Sequence, residues 1–124
     1  MLLKPNMVIA GKNCPHQNSP EEIAEATIRC LSRYVPAAMP GIVFLSGGQK
    51  AEEATANLNA INKMGRRPWE VSFSYGRALQ APVLAAWKGQ ESNMAAAQQA
   101  LKKRARLNGL AREGKYSPEM EAEA

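Results

Sequence analysis

The most reactive candidate in this sequence is a lysine near its start. Lys4 lies within the apolar run Leu2-Leu3-Lys4-Pro5-Asn6-Met7-Val8, where a β-strand would place its side chain among apolar neighbours. Burial disfavours a charged ammonium, and a neutral amine can attack a carbonyl to form a Schiff base, which is a covalent electron sink. The alternative is a lysine that extends to solvent or pairs with a carboxylate. The pattern therefore predicts a nucleophilic amine but leaves a structural lysine open.

Two glycine-containing junctions have the composition of anion-binding loops. Ser46-Gly47-Gly48-Gln49 follows an apolar segment and precedes a helical one, so its N–H groups and the helix N-terminus could hold a phosphate. Ser46 and Gln49 also fit a capping box, in which case the glycines only form the turn. Gly76-Arg77 ends the next apolar segment and adds a guanidinium suited to phosphate, although a surface arginine explains it as well. Together with Lys4, these junctions predict chemistry on a small phosphorylated sugar.

Metal and cofactor chemistry is not favoured by the sequence. Cys14-Pro15-His16 offers two kinds of ligand, but no second pair completes a metal site. We interpret these residues as a loop thiol and a surface histidine. Cys14 and Cys30 lie far apart in a chain of 124 residues that needs no covalent staple, which predicts free thiols and a cytoplasmic location.

Composition and charge restrict the partners of the chain. It is 45% hydrophobic with a formal charge of +5 and no apolar run of about 18 residues, which predicts a folded chain and no membrane partner. A group of cations near the end predicts the solvated face of a last helix, and no aromatic residues interleave with it as single-stranded nucleic acid would require. We therefore expect no nucleic-acid partner, although a non-catalytic basic binding module that uses this helix is the alternative function. The group comprises Lys102, Lys103, Arg104, Arg106, Arg112 and Lys115.

Three segments that read as strands position these candidates, and each precedes a helical pattern. The strands are predicted at residues 2–9, 41–45 and 69–75, and the last helix at about 93–112. Ser19-Pro20 begins the first helix with an N-cap serine and a proline. Strand–helix alternation predicts an α/β fold with parallel pairing, in which the functional residues gather at the carboxyl ends of the strands.

The residues around Lys4 and the two glycine-containing junctions resemble those of a known family, the class I (Schiff-base) fructose-1,6-bisphosphate aldolases. The run around Lys4 is similar to the strand that carries their Schiff-base lysine. Phe44-Leu45-Ser46-Gly47-Gly48-Gln49 resembles their phosphate loop, and Phe73-Ser74-Tyr75-Gly76-Arg77-Ala78-Leu79-Gln80 resembles their last barrel strand and its arginine. The resemblance also includes Glu52-Glu53-Ala54 and Asn57-Leu58-Asn59-Ala60-Ile61-Asn62, and it extends to Gly114-Lys115-Tyr116.

The resemblance implies a fold and a reaction. The fold would be the C-terminal portion of a (β/α)8 TIM barrel: strands six to eight with their helices at residues 1–90, a terminal helix at 91–116 and an acidic tail at 117–124. Lys4 would form the Schiff base, and the residues that would hold the substrate phosphate are Leu45, Ser46, Gly47, Gly76 and Arg77. The reaction would be the reversible cleavage of fructose 1,6-bisphosphate to dihydroxyacetone phosphate and glyceraldehyde 3-phosphate in glycolysis, without metal or cofactor, by a cytoplasmic homo-oligomer.

The sequence departs from the family pattern in one respect that bears on activity. It contains no Asp, and none of its glutamates lies at the predicted carboxyl end of a strand, where an acid–base group would be needed. The family's acid–base residues would lie upstream of Met1. We therefore expect the chain to be part of a longer protein and, in isolation, to be inactive and marginally folded, because three strands cannot close a barrel of eight.

Overall fold

Helices and short parallel strands alternate along the chain, so the predicted α/β fold is confirmed. A computed structural model describes residues 1–123. The helices are α1 (Pro20–Tyr34), α2 (Ala51–Lys63), α3 (Arg77–Trp87) and α4 (Met94–Arg112), the strands are β1 (Gly41–Phe44) and β2 (Glu70–Phe73), and 3-10 turns occupy Glu91–Asn93 and Pro118–Ala122. Within the described residues, none of the helices is both long and apolar enough to cross a membrane.

The two strands are parallel neighbours, with Gly41 opposite Glu70 and Phe44 opposite Phe73. Parallel pairing places both carboxyl ends at the same edge, and the helices that follow, α2 and α3, begin from that edge. The residues after Phe44 and after Phe73 are therefore brought together by the pairing itself.

The predicted first strand, residues 2–9, is wrong in its extent. Leu3 forms an isolated parallel bridge with Ile42, and the pairing continues only as far as Pro5, whose carbonyl accepts a hydrogen bond from the Leu45 N–H at 3.0 Å. Pro5 has no N–H to donate. Beyond it, the Val8 N–H bonds to the Thr27 hydroxyl at 2.9 Å instead of to a strand. Residues 3–5 thus lie alongside β1, and the chain then turns away.

The start of α1 agrees with the capping prediction, whereas the start of α2 does not. Ser19 Oγ accepts from the Glu22 N–H at 3.2 Å, and the Ser19 N–H donates to Glu22 Oε1 at 3.1 Å. The proposed capping box of Ser46 and Gln49 was wrong. The Gln49 N–H bonds to the Ser46 carbonyl oxygen at 3.0 Å in a separate turn, and α2 begins at Ala51 after the N-cap Lys50.

The core lies where β1, α2 and α4 meet. Burial of a large apolar side chain stabilises the fold by about 1.5–3 kcal/mol relative to its exposure to water. The largest apolar side chains that are fully enclosed come from these three elements: Ile42, Phe44, Leu58, Ile61 and Leu107.

A buried polar network fastens the end of the chain to α2 and α4. Arg104 is only 4% exposed, and its guanidinium bonds to the Thr55 hydroxyl, to the Ala51 carbonyl oxygen at 3.2 Å and to Glu121 at 2.6 Å. The prediction that the cations of α4 form a solvated face was therefore wrong for Arg104. A guanidinium is buried here because carboxylate, hydroxyl and carbonyl acceptors surround it.

The residues before the tail are held through their backbone. The Asn59 side chain accepts from the Tyr116 N–H at 3.0 Å and donates to the Tyr116 carbonyl oxygen at 3.1 Å. The segment predicted as an acidic tail, 117–124, includes a 3-10 turn at Pro118–Ala122 that packs back on the chain, and its Ala124 lies outside the described residues.

Candidate active site

One cleft brings together all six residues predicted to do chemistry. Its volume is about 580 Å³, and it lies where the carboxyl ends of β1 and β2 meet the segment that contains Lys4. The grouping results from parallel pairing, which carries the turns after both strands to the same edge. The predicted residues that line it are Lys4, Leu45, Ser46, Gly47, Gly76 and Arg77.

Lys4 is exposed, which agrees with the alternative of a lysine that extends to solvent and not with burial among apolar neighbours. The side chains of this segment alternate: those of Leu3, Pro5 and Met7 are partly or fully buried, whereas those of Leu2, Lys4, Asn6 and Val8 are exposed. Successive side chains of an extended chain point to opposite faces. Lys4 thus occupies the face that opens on the cleft, and its backbone position is fixed by the bonds of Leu3 and Pro5 to β1.

The loop after β1 has a compact, constrained backbone. Ser46 is 7% exposed, and the Gly47 carbonyl oxygen accepts from Asn6 Nδ2 at 3.3 Å, which links this loop to the lysine segment. Gly48 has a φ of +79°, a conformation that a residue with a side chain adopts only with strain. The loop leads directly to the N-terminus of α2, where backbone N–H groups are not used within the helix.

The junction after β2 supplies the second helix N-terminus. Gly76 is the N-cap of α3, and its carbonyl oxygen accepts from the Leu79 and Gln80 N–H groups at 3.0 Å. Arg77 is the first residue of α3 and is exposed. Two helices thus begin at the cleft, and their N-terminal dipoles favour a bound anion.

Tyr75 has a hydroxyl close to this junction, but it serves packing. Its OH donates to the Ala54 carbonyl oxygen at 2.8 Å, and burial raises the pKa of the Tyr75 phenol above its usual range. The phenol therefore stays protonated and joins the end of β2 to the first turn of α2.

Several polar residues of the cleft were not predicted. Lys12 projects from the turn that follows the lysine segment, Lys50 is the N-cap of α2, and Ser74 and Gln17 complete this part of the wall. The signal for Lys50 was its position directly after Ser46-Gly47-Gly48-Gln49. Lys12 had no comparable signal, because only the fold brings its turn to the ends of β1 and β2.

Glu53 is the one carboxylate among the described residues of the cleft wall. Its Oε2 accepts from the Lys50 N–H at 3.0 Å, so it caps α2. A carboxylate at the first turn is favoured by the helix dipole. The sequence places no acidic residue at the carboxyl end of a strand. The described wall of the cleft does not supply a free carboxylate for acid–base chemistry either.

The alternative function, a basic binding surface on the last helix, has little structural support. Five of the six cations in that group have carboxylate partners within 4.0 Å: Lys103 and Arg104 with Glu121, Arg106 with Glu123, Arg112 with Glu70, and Lys115 with Glu113. Their charge is largely balanced within the chain. Among residues 1–123, no cluster of three or more His, Cys and Glu side chains has the arrangement of a metal site.

Comparison with known proteins agrees with these motifs. The family model for class I fructose-bisphosphate aldolase, described as glycolytic, matches residues 1–124. Fructose-bisphosphate aldolase B of Sparus aurata is 58% identical over 118 residues, which are 94% of this chain and 32% of that protein. Fructose-bisphosphate aldolase 1 of Toxoplasma gondii is 61% identical over 115 residues, 93% of this chain and 32% of its own.

The same relationship is found among solved structures. The fructose-bisphosphate aldolase of Plasmodium falciparum, determined as a ternary complex with TRAP and a small-molecule inhibitor, superposes with a TM-score of 0.91 at 53% identity. That match covers 94% of this chain and 33% of the other. The chain spans about a third of the length of these relatives, and it belongs to the class I fructose-bisphosphate aldolase family of lyases.

Proposed function

We propose that this chain supplies the Schiff-base lysine and the ketone-end phosphate site of an aldolase that reversibly cleaves fructose 1,6-bisphosphate to dihydroxyacetone phosphate and glyceraldehyde 3-phosphate in glycolysis. The observation that carries the proposal is the convergence of Lys4 with the two glycine-containing junctions around one cleft. A lysine that faces an anion-binding site is positioned to react with a ketone that carries a phosphate group.

The chemistry begins at the amine of Lys4. Its nitrogen adds to the ketone carbon, and loss of water gives an iminium. The bond that breaks joins the carbon next to the iminium to the hydroxyl-bearing carbon beyond it. Its electron pair moves toward the iminium to form an enamine, while the hydroxyl proton of the departing aldehyde passes to a base. Protonation of the enamine and hydrolysis release dihydroxyacetone phosphate and restore the amine. The base is expected in the part of the longer relatives that this chain does not match.

The phosphate would be held by groups from the loop after β1 and from the N-terminus of α3. Ser46 offers its hydroxyl, Gly47 its N–H beside Leu45, and Gly76 permits close approach of the backbone. The Arg77 guanidinium supplies two parallel donors that match two phosphate oxygens. The phosphate fixes the ketone carbon near Lys4, and this orientation favours the addition step.

The proposal includes the architecture and assembly of the longer protein. Residues 1–90 would form strands six to eight of a (β/α)8 TIM barrel, followed by a terminal helix at 91–116 and a tail at 117–124. The parallel pairing of residues 3–5, β1 and β2 supports this order. We further propose a cytoplasmic homo-oligomer that needs no metal or cofactor, as the family resemblance implies.

Borohydride trapping tests the proposed role of Lys4. A full-length protein that contains this chain is incubated with dihydroxyacetone phosphate, the iminium is reduced, and the modified peptide is located by mass spectrometry. We expect the adduct on Lys4 and its loss in Lys4→Arg, whereas Lys102→Gln, on the exposed surface of α4, should be labelled like the unmodified protein. An adduct on a different lysine, unchanged by Lys4→Arg, would contradict the assignment.

A further inference from the structure

The cleft concentrates cations that lack ion-pair partners. Lys4, Lys12, Lys50 and Arg77 all line it, and none of them has a carboxylate within 4.0 Å among residues 1–123. On α4, by contrast, most cations of the predicted basic group are paired. Within the described residues, the cleft therefore holds more unpaired cations than the basic group of the last helix does.

The carboxylate in the cleft wall does not balance these cations. Glu53 accepts a hydrogen bond from the backbone N–H of Lys50 and is thereby held at the first turn of α2. No salt bridge joins it to a lysine or arginine side chain in the described residues. Four cationic side chains and two helix N-termini thus surround a site with one engaged carboxylate, a field that attracts an anion.

The four cations come from four separate parts of the chain. Lys12 lies in a turn that the Gln17 side chain holds, with Nε2 bonded to the Gly11 and Cys14 carbonyl oxygens at 3.3 and 2.8 Å. Lys50 is the N-cap of α2, and Arg77 begins α3. Because neither Lys12 nor Lys50 shares a helix face with Lys4 or Arg77, their convergence is a property of the cleft and not of one solvated element.

We propose that Lys12 and Lys50 determine specificity, by selecting ketones that carry a phosphate dianion over the same ketones without one. This inference rests on the proposed function and adds two residues to its phosphate site. Arg77 would hold the phosphate by direct bidentate bonding, whereas the two lysine ammonium groups act as mobile charges that stabilise the dianion. Their contribution depends on ionic strength, because exposed charges are screened by salt.

The test compares dihydroxyacetone phosphate with unphosphorylated dihydroxyacetone in the trapping reaction. We expect Lys12→Gln and Lys50→Gln each to raise the concentration of the phosphorylated ketone needed for half-maximal trapping about fivefold, which is about 1 kcal/mol. Half-maximal trapping by the unphosphorylated ketone should not change. If the two charges act independently, the double variant should need about 25-fold more of the phosphorylated ketone for half-maximal trapping. This concentration should also depend less on salt than it does in the unmodified protein. Lys102→Gln is the matched control because it removes an exposed lysine outside the cleft that has no carboxylate partner among residues 1–123.

The outcomes separate this inference from the proposed function. If Arg77→Ala weakens trapping of the phosphorylated ketone while both lysine variants behave like Lys102→Gln, then Lys12 and Lys50 do not determine specificity. In that case the proposed function stands. If no adduct forms on Lys4, the proposed function fails. Calorimetric titration with inorganic phosphate, which needs no Schiff base, still tests the lysines. Equal phosphate affinity of the unmodified protein and the double variant would overturn the inference.

Discussion

The guanidinium of Arg104 and the carboxylate of Glu121 meet at 2.6 Å and join α4 to the last described turn of the chain. Both side chains are largely buried, with 4% and 15% of their surface exposed. Removal of the carboxylate leaves the buried guanidinium without an opposite charge, although its bonds to Thr55 and Ala51 remain. In a full-length protein that contains this chain, we expect Glu121→Gln to lower the free energy of unfolding by about 3 kcal/mol, measured by urea denaturation.

A second ion pair of the same tail provides the control for that experiment. Glu123 Oε2 lies 3.6 Å from Arg106, and both side chains are substantially exposed. Solvent screens such a pair, so Glu123→Gln should change the free energy of unfolding by less than about 0.5 kcal/mol. Equal effects of the two substitutions would show that the buried network does not hold the tail.

Because Gly48 has a positive φ, we predict that even a methyl group at this position will disturb the loop after β1. Its φ of +79° strains any residue with a Cβ, and the added atom would lie 3.3 Å from the Ile9 side chain. Gly48→Ala should cost about 1–2 kcal/mol of stability and weaken the binding of inorganic phosphate. Thermal melting and calorimetric titration measure the two effects.

Gly11→Ala is the matched control for Gly48, because an added Cβ there has no atom within 4 Å. It should leave the melting temperature and phosphate affinity nearly unchanged. Phosphate affinity that survives in a folded Gly48→Ala protein would argue against a role for the backbone of this loop.

Arg77 should be the most sensitive single side chain for recognition of the phosphate. We expect Arg77→Ala to weaken inorganic phosphate binding about tenfold to hundredfold, the range for a hydrogen bond to a charged group. Arg77→Lys retains the charge but loses the planar pair of donors, so it should recover only part of the affinity. Arg29→Ala removes an exposed arginine of α1 outside the cleft and should have no effect. Wild-type affinity in Arg77→Ala would contradict the site.

The N-terminus of α1 should make stability depend on pH. The bond from the Ser19 backbone N–H, followed by that from the Asn18 side chain, lowers the pKa of the Glu22 carboxyl below its usual range. A group whose pKa is lower in the folded chain stabilises it above the unfolded pKa, and this contribution is lost as pH falls through the folded pKa.

Glu22→Gln removes this contribution at every pH. The difference in urea midpoint between the unmodified protein and Glu22→Gln should therefore be largest near about pH 7 and shrink toward about pH 3. A difference that stays constant across this range would show that Glu22 is not linked to folding in this way.

Local sequence signals predicted the elements better than their ends. Ser19 and Pro20 located the start of α1 because the serine cap and the proline act within one turn. The capping pattern of Ser46 and Gln49 predicted the start of α2 too early. That pattern does not reveal that the chain makes a further turn at Gly48 before the N-cap Lys50. Residues 2–9 were predicted as a full strand from their apolar content, although Pro5 already interrupts the donors that a strand needs.

Six residues of the cleft could be predicted, because their positions follow from strand ends and from a family resemblance that the sequence itself carries. The exposure of Lys4 could have been read from the alternation of Leu3, Pro5 and Met7 with the residues between them. The bond of Arg104 to Glu121 could not, because the two residues are 17 positions apart and meet only after α4 packs on α2.

Two hydrogen bonds between the Asn59 side chain and the main chain of Tyr116 fix the position of the chain end against α2. The amide of Asn59 bonds to one N–H and one C=O of the same residue, as a peptide group of a neighbouring strand would, so it recognises main chain and not the phenol. These two bonds use only the main chain of Tyr116, whereas its hydroxyl donates to Glu121 Oε1 at 2.9 Å. An insertion of one residue between Arg112 and Tyr116 would place a different peptide group opposite the Asn59 side chain. It would also displace Glu121 from its position against Arg104.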